Sequence, residues 1–298
     1  MTMTRLASVH GPAGFTVLGA SGYIGRHMVR HLRAAGQPVY APRRAVPGVF
    51  DHDLGHVIYA IGLTADFRSR PIDTIEAHVS ALAEVLRCAR FESLTYLSST
   101  RVYGGATHGH EDGPLVANPC DPGDLYNLSK MAGEALCLSQ PDSSVRVARL
   151  ANVFGTDMDA NAQPSQNFLA ALVREATDRG TVVLRSAPDS AKDYVAIEDA
   201  TRALHRIALD GQHRLYNVAS GVNTTNADIA AALRAATGCL VKVADGAPCI
   251  TFPLIDVTRI GTLFPSDDPW MPASVLDRLP EIVSARRAAP AAAAGGMR

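Results

Sequence analysis

The sequence predicts an α/β fold, a doubly wound parallel sheet with a smaller C-terminal α/β lobe. Two observations carry that expectation. Short apolar runs alternate with amphipathic helical segments, and strands separated by helices pair in parallel. The first apolar run, Phe15-Thr16-Val17-Leu18, passes directly into a glycine-rich turn, Gly19-Ala-Ser-Gly22-Tyr-Ile-Gly25, which opens a helix. The composition is that of a globular protein: of 298 residues, 47% are hydrophobic and 19% charged.

The elements follow in order. Phe15–Leu18 reads as a buried strand. Ile24, Met28, Val29 and Leu32 then repeat at helical spacing, and the helix ends at Gly36. Pro38–Ala41, Val57–Ile61 and Leu94–Leu97 read as strands. Between the last two, Ile72–Ala89 reads as one long amphipathic helix with Ile75, Val79, Leu82 and Leu86 on one face. A helix over Leu125–Leu138 precedes a strand at Val145–Leu150. Farther on, Phe168–Thr177, Asp199–Leu209 and Thr225–Ala236 read as helices, and Thr181–Leu184 and Leu215–Val218 as strands. The expected organisation is an N-terminal segment 1–14, a dinucleotide-binding core 15–155, a mainly substrate-binding lobe 156–287 interleaved with core elements, and a disordered alanine-rich tail 288–298. The site is expected at the carboxyl ends of the strands, in the cleft between the lobes.

Charge and cysteine usage exclude several classes. Lys+Arg is 28 against Asp+Glu 29, for a formal net charge of −1, so no basic excess suits nucleic acid or an anionic membrane. The 5 cysteines (Cys88, Cys120, Cys137, Cys239, Cys249) show no metal-type spacing and no disulfide framework. Reduced thiols in the cytoplasm are the expectation. No apolar run approaches the ~20 residues of a membrane span, and Met1–Gly14 lacks the apolar stretch of a signal peptide. The histidines suggest no metal; His108 and His110 flank Gly109 in a loop expected to face solvent.

Gly19, Gly22 and Gly25 match a dinucleotide fingerprint in its proper context, after a strand and before a helix. Gly19 permits the tight turn, Gly22 lets backbone approach a pyrophosphate, and Gly25 lets the helix pack against the strand. The helix N-terminus favours phosphate charge. A free ribose 2′-hydroxyl calls for an acidic residue after the second strand. That strand instead ends Tyr40-Ala41-Pro42-Arg43-Arg44, and two guanidinium groups suit a 2′-phosphate. NADP is therefore favoured over NAD.

Six ordered motifs give the chain a family resemblance. They are Gly19-xx-Gly22-xx-Gly25, Leu97-Ser-Ser-Thr-Arg-Val-Tyr-Gly104, Tyr126-xxx-Lys130, Arg149-Leu-Ala-Asn-Val-Phe-Gly155, Lys192-Asp-Tyr-Val195 and Tyr216-Asn-Val-Ala-Ser-Gly221. Together they resemble the extended short-chain dehydrogenase/reductase family, the NAD(P)-dependent epimerases, dehydratases and reductases of sugar nucleotides. The resemblance implies a Rossmann-type sheet, with Tyr126 as acid/base and Lys130 lowering its pKa and holding the nicotinamide ribose. The chemistry agrees independently. Moving a hydride at a carbinol carbon requires moving a proton at its oxygen; free tyrosine, near ~10, is too weak a base at neutral pH. An ammonium one helical turn away would lower it. The resemblance implies that the hydroxyl holding the substrate oxygen lies four residues before Tyr103, which selects Ser99, with Thr100 and Ser98 as nearest rivals.

The resemblance also assigns Ser21, Tyr23, Ile24, Ala60, Ile61 and Gly62 to the cofactor beside Gly19, Gly22, Gly25, Arg43 and Arg44. It assigns Thr100, Asn152, Asn167 and Lys192 to the substrate, the last three near its diphosphate. Asp193 and Tyr194 are expected to structure a turn. His78 takes a position often held by asparagine, and its neutral form is expected to make the same structural hydrogen bond. Arg101 is expected either to enter the cleft or to cover the helix starting near Leu125.

Departures from the pattern narrow the chemistry. Dehydratases carry an Asp-Glu pair directly after the catalytic hydroxyl residue, and here those positions are Thr100-Arg101. Ser165-Gln166-Asn167-Phe168 lacks the histidine of the epimerase-reductases. Epimerisation or keto-sugar reduction without elimination remains. The segment from Arg44 to Val57 is too short for the usual helix and strand, which suits a dissociable NADPH and hence a reductase. The implied partners are a nucleotide sugar and a second copy of the chain, joined through the helices 72–89 and 125–138. Two other readings stay open: a ketoreductase acting on a non-sugar ketone, and a non-catalytic cofactor sensor.

Overall fold

The computed structural model describes residues 14–43, 49–64, 66–156 and 167–288. Arg44, Ser165 and Gln166, and most of the N-terminal segment and the alanine-rich tail, lie outside them.

The elements are β1 (Phe15–Leu18), α1 (Tyr23–Ala34), β2 (Val39–Tyr40), β3 (His56–Tyr59), α2 (Pro71–Ile75), α3 (Ala81–Cys88), β4 (Ser93–Ser99), α4 (Leu125–Leu138), β5 (Val145–Leu150), β6 (Asn152–Phe154), α5 (Phe168–Arg179), β7 (Thr181–Leu184), β8 (Ala191–Ala196), α6 (Ile197–Asp210), β9 (Leu215–Val218), β10 (Asn223–Thr225), α7 (Asn226–Thr237), β11 (Leu240–Val243), α8 (Thr258–Gly261) and α9 (Val275–Ala288). The chain divides into two compact units. One holds the described residues of Met1–Val102, Ala117–Arg149 and Thr201–Tyr216, and the other those of Tyr103–Val116, Leu150–Ala200 and Asn217–Arg298.

The main sheet is parallel, in the order β2-β1-β3-β4-β5-β9 with helices flanking it, a Rossmann-type fold. Phe15 pairs with Val39 on one side and His56 on the other, so β2 is the sheet edge. Among the described residues of the shortened stretch before β3, a 3-10 turn spans Val49–Asp51. Leu18, Val57, Tyr59, Leu82, Val85, Leu94, Tyr96 and Val147 form the core of this unit. In the second unit, β10-β8-β6 and β11-β7 form small sheets. Their core joins Phe154, Leu169, Val173, Tyr194, Ile229, Leu233 and Leu279.

The helix expected over 72–89 is interrupted. A π-helical turn, Glu76–Ser80, separates α2 from α3. A wide turn adds a residue and rotates the buried face. Thr74, Ala77 and His78 therefore point inward with Leu82 and Val85, whereas Ile75 is exposed. The wide turn also leaves carbonyls to be satisfied from outside the helix. Two tyrosines of the sheet do this: Tyr59 Oη donates to Ala77 O at 2.7 Å and Tyr96 Oη to His78 O at 3.2 Å. Gly133 is required on the facing side of α4, because a Cβ there would collide with the Tyr96 hydroxyl and lie 2.8 Å from His78 O.

Asp193 and Tyr194 lie within strand β8 rather than in a turn. The Asp193 carboxylate nevertheless organises one, accepting the N–H groups of Ser220, Gly221 and Val222 at 2.8, 2.7 and 3.1 Å. Burial holds its pKa up to about 6. Among the described residues, no helix is long and apolar enough to cross a membrane.

Candidate active site

The glycine turn has the geometry of a phosphate cradle. Gly19 has φ 86°, where an L side chain is strained, and a Cβ there would lie 2.7 Å from the Ala60 carbonyl. Gly22 N–H donates to Gly19 O at 3.0 Å, and Gly22 is the N-cap of α1 with no side chain over the helix end. The first turn of α1 holds no acidic residue, so the helix end stays favourable to an anion. A Cβ on Gly25 would strike the Gly19 carbonyl and lie 2.9 Å from the Ala20 Cα. Gly25 thus lets α1 close on the turn itself rather than on the strand. Ser21 is exposed at the lip of this cradle. Tyr23 is partly buried and stacks on His27 at 4.9 Å, and Ile24 follows it in the first turn of α1. Arg43 is exposed just past β2. Phosphate contacts fit this turn, and a nicotinamide cofactor bound there would supply or accept a hydride.

Residues 60–62 link the cradle to the reactive side chains. Ala60 and Ile61 pack against Gly19, while a Cβ on Gly62 would lie 3.1 Å from His78 Nε2 and 3.5 Å from Lys130 Nζ. Tyr126 and Lys130 stand one turn apart on α4, each buried. The hydroxyls of Ser99 and Thr64 lie beside the Tyr126 phenol and act to lower its pKa. Ser99, at the end of β4, also accepts the Arg101 N–H at 3.2 Å. Its two rivals are placed otherwise. Ser98 donates to Glu134 Oε1 at 2.5 Å, and Thr100 is buried at the start of a 3-10 turn.

The electrostatics differ from the simple picture of lysine acting on tyrosine. Burial raises the Tyr126 phenol; the neighbouring Ser99 and Thr64 hydroxyls and the Arg101 charge oppose it. Burial lowers Lys130 to about 7, and its ammonium donates to Leu97 O at 2.8 Å. The cation nearest the phenol's face is Arg101, whose guanidinium carbon lies 5.1 Å from the Tyr126 ring centre. Arg101 also donates to Gly123 O at 3.2 Å, so it does cover the approach to α4.

Two buried contacts support this cluster; the first, a structural hydrogen bond of a neutral His78 where the family often has asparagine, was expected from the sequence, and the second was not. His78, 0% exposed, accepts the Leu63 N–H on Nε2 at 3.2 Å. That fixes the tautomer, so Nδ1–H donates to Ser129 Oγ at 2.8 Å, and Ser129 donates to Tyr126 O at 2.8 Å. Burial lowers His78 to about 3, which keeps this chain neutral and intact. The second support is the Arg149–Glu134 pair, bidentate at 3.0 and 2.6 Å and nearly sealed from solvent. It ties β5 to α4 beside Ser98. A Glu–Arg pair 15 residues apart carries no pattern that would reveal the second contact.

The substrate candidates of the second unit lie together. Asn152 on β6 pairs in register with Tyr194 of β8, and its amide donates to Asp193 O at 2.8 Å. Asn167 is the N-cap of α5, accepting the Ala170 N–H at 2.8 Å and donating to Val153 O at 3.0 Å. Lys192 Nζ lies 4.9 Å from the Phe168 ring centre. The signature residues Tyr103 and Asn217 are structural here. Tyr103 donates to Asn217 Oδ1 at 2.8 Å, and the Asn217 amide bonds Gly109 O and Asp256 O, each at 2.9 Å.

A Rossmann-type sheet with a glycine cradle and an adjoining Ser-Tyr-Lys cluster defines a nicotinamide-dependent enzyme. The chain belongs to the NAD dependent epimerase/dehydratase family, whose family model matches residues 15–219. Among curated proteins it is similar to the GDP-6-deoxy-D-mannose reductase of Pseudomonas aeruginosa, 26% identical over 235 residues, covering 69% of this chain and 74% of the relative. Among solved structures it resembles RMD from Pseudomonas aeruginosa complexed with NADPH, with TM-score 0.71, 23% identity, and 91% and 98% of the two chains covered. It also resembles MoeE5 in complex with UDP-glucuronic acid and NAD, with TM-score 0.74, 23% identity, and 93% and 99% covered. These two likenesses establish the fold.

Proposed function

We propose that the chain is an NAD(P)-dependent epimerase or keto-sugar reductase acting on a nucleotide-activated sugar without elimination. One observation carries this reading: Tyr126, with the Ser99 hydroxyl beside its phenol, stands one turn from Lys130, and the 60–62 segment joins that cluster to the glycine cradle. In reduction, the carbonyl carbon receives a hydride and Tyr126 gives its proton to the oxygen. Ser99 holds that oxygen, and Arg101 stabilises the resulting phenolate. In epimerisation the same groups first run in reverse and then forward on the opposite face of the sugar carbon.

Burial holds the Tyr126 phenol above its ordinary pKa, so the groups that oppose it, Arg101 among them, matter most when the phenol has given up its proton. Arg43 at the end of β2 supports NADP over NAD. The absence of elimination is supported by Thr100-Arg101, which offers no carboxylate where dehydratases carry Asp-Glu; solved dehydratases share the fold but at low identity. Asn152, Asn167 and Lys192 are the proposed contacts to the diphosphate. The exposed Ile72, Ile75 and Leu138 on α2 and α4 suit a homodimer interface, and a cytoplasmic location fits the whole.

The test is a screen of nucleotide sugars with NADPH and NADH, following absorbance at ~340 nm and product NMR together. Net cofactor consumption identifies a reductase and product without consumption an epimerase; no turnover with any nucleotide sugar rejects the reading. Arg43→Ala should weaken NADPH binding about tenfold, with NADH little changed.

A further inference from the structure

Phe67 is buried beside the candidate catalytic tyrosine, 5.6 Å between ring centres. Two guanidinium groups pack on it: Arg68 at 4.6 Å and Arg101 at 4.9 Å from the same ring centre. Arg101 lies also on Tyr126 and is half-buried, and burial is the main influence on its pKa, lowering it, with the Arg68 charge adding to that. Both arginines converge on Gly123. Arg101 donates to its carbonyl, and a Cβ on Gly123 would lie 3.5 Å from Arg68 Nη2.

Two like charges drawn together, one of them partly desolvated, call for an anion. Among the described residues no carboxylate pairs with either arginine, although the other buried arginine, Arg149, is fully paired. The two acids of this loop direct their carboxylates to N–H donors rather than to an arginine. Asp121 accepts the Gly123 N–H at 2.7 Å, and Asp124, whose charge reaches Arg101, accepts from Asn118 N–H and the Asn127 amide at 2.8 and 3.0 Å. The Tyr126 phenol is too weak an acid to be the counter-ion at rest. Of the five N–H groups of Arg101, the side-chain bond to Gly123 uses one, leaving an edge of the fork for a planar anion.

We propose that Arg101 and Arg68 form a carboxylate-recognition site, so that the substrate is a nucleoside-diphosphate sugar whose reacting glycosyl unit carries a carboxylate. This rests on the nucleotide-sugar reading above and deepens it. The position of the pair decides which part of the substrate is anionic. The Arg101 guanidinium carbon lies 5.1 Å from the Tyr126 ring centre, so a group bound by Arg101 sits beside the proposed acid/base and belongs to the sugar that reacts. The diphosphate contacts proposed for Asn152, Asn167 and Lys192 belong to other elements.

The test titrates the full chain, in the presence of NADP+ and separately of NAD+, with matched acid and neutral pairs: UDP-glucuronic acid against UDP-glucose, and GDP-mannuronic acid against GDP-mannose. In at least one pair the acid should bind about tenfold tighter or more. In Arg101→Gln and in Arg68→Gln the ratio should fall toward one, and Arg101→Lys should keep part of it. Arg68 is exposed, so its variant probes the site even where the Arg101 variant folds poorly; cofactor affinity monitors folding in both. Equal binding within every pair, or a ratio unchanged in both variants, overturns the carboxylate site while leaving the nucleotide-sugar reading intact. Failure of every nucleotide sugar to bind rejects that reading and this inference with it.

Discussion

The ammonium of Lys130 is held by the carbonyl of Leu97 at 2.8 Å, at the end of the strand that delivers Ser99. This bond aligns α4 with β4 and sets the spacing of Tyr126 from the strand end. It also places a cation in a buried site, with a measurable consequence. Burial lowers Lys130 from 10.5 to about 7. Between those values the unfolded chain binds more protons than the folded one, so stability rises with pH across that window. Below about 7 the folded protein carries the full cost of a desolvated charge. Lys130→Met should therefore raise the apo melting temperature more at pH about 6 than at pH about 10 while abolishing turnover. A difference that does not vary with pH would contradict the assignment.

His78 works in the opposite pH range. Its folded pKa lies near 3 against an ordinary 6.5, chiefly through burial and then the Lys130 charge. The stability it contributes is complete above 6.5 and is lost as pH falls toward 3. His78→Leu strands the Leu63 N–H and the Ser129 hydroxyl, at a cost of about 2 kcal/mol near neutral pH. Urea unfolding followed with pH should show the gap between wild type and variant closing as pH falls toward about 4. His78→Asn should recover part of the neutral-pH loss.

The Arg149–Glu134 pair is nearly sealed, with 5% and 4% of the two side chains exposed. Removing one partner leaves a buried charge uncompensated. Arg149→Met should cost about 3–5 kcal/mol, whereas the double variant Arg149→Met/Glu134→Leu should cost less than the single one. A double variant at least as damaged as the sum of its singles would mean that the pair does not act as a unit.

The sheet was legible because each strand is a short apolar run bounded by turn residues; Phe15–Leu18, Val145–Leu150, Thr181–Leu184 and Leu215–Val218 agree to the residue, as does the helix Leu125–Leu138. Short strands such as Asn152–Phe154 and Asn223–Thr225 have too few residues to show a period. The terminal helix Val275–Ala288 was masked by Pro280 and by a pattern that merges into the alanine-rich end. The π turn was invisible because its carbonyls are satisfied by Tyr59 and Tyr96, both distant in sequence. In the candidate site, the glycines, Tyr126, Lys130 and Ser99 announce themselves through fixed local spacings. The contacts of Arg101, His78 and Glu134 depend on residues the fold brings in from elsewhere, and no local spacing encodes them.

The central claim is that Tyr126 moves the proton that accompanies hydride transfer. The direct measurement is turnover and cofactor binding of Tyr126→Phe, with the substrate found by the nucleotide-sugar screen. The account predicts a loss of turnover on the order of 10²–10⁴-fold with cofactor affinity within about threefold of wild type. Turnover close to wild type, at any pH, would contradict it.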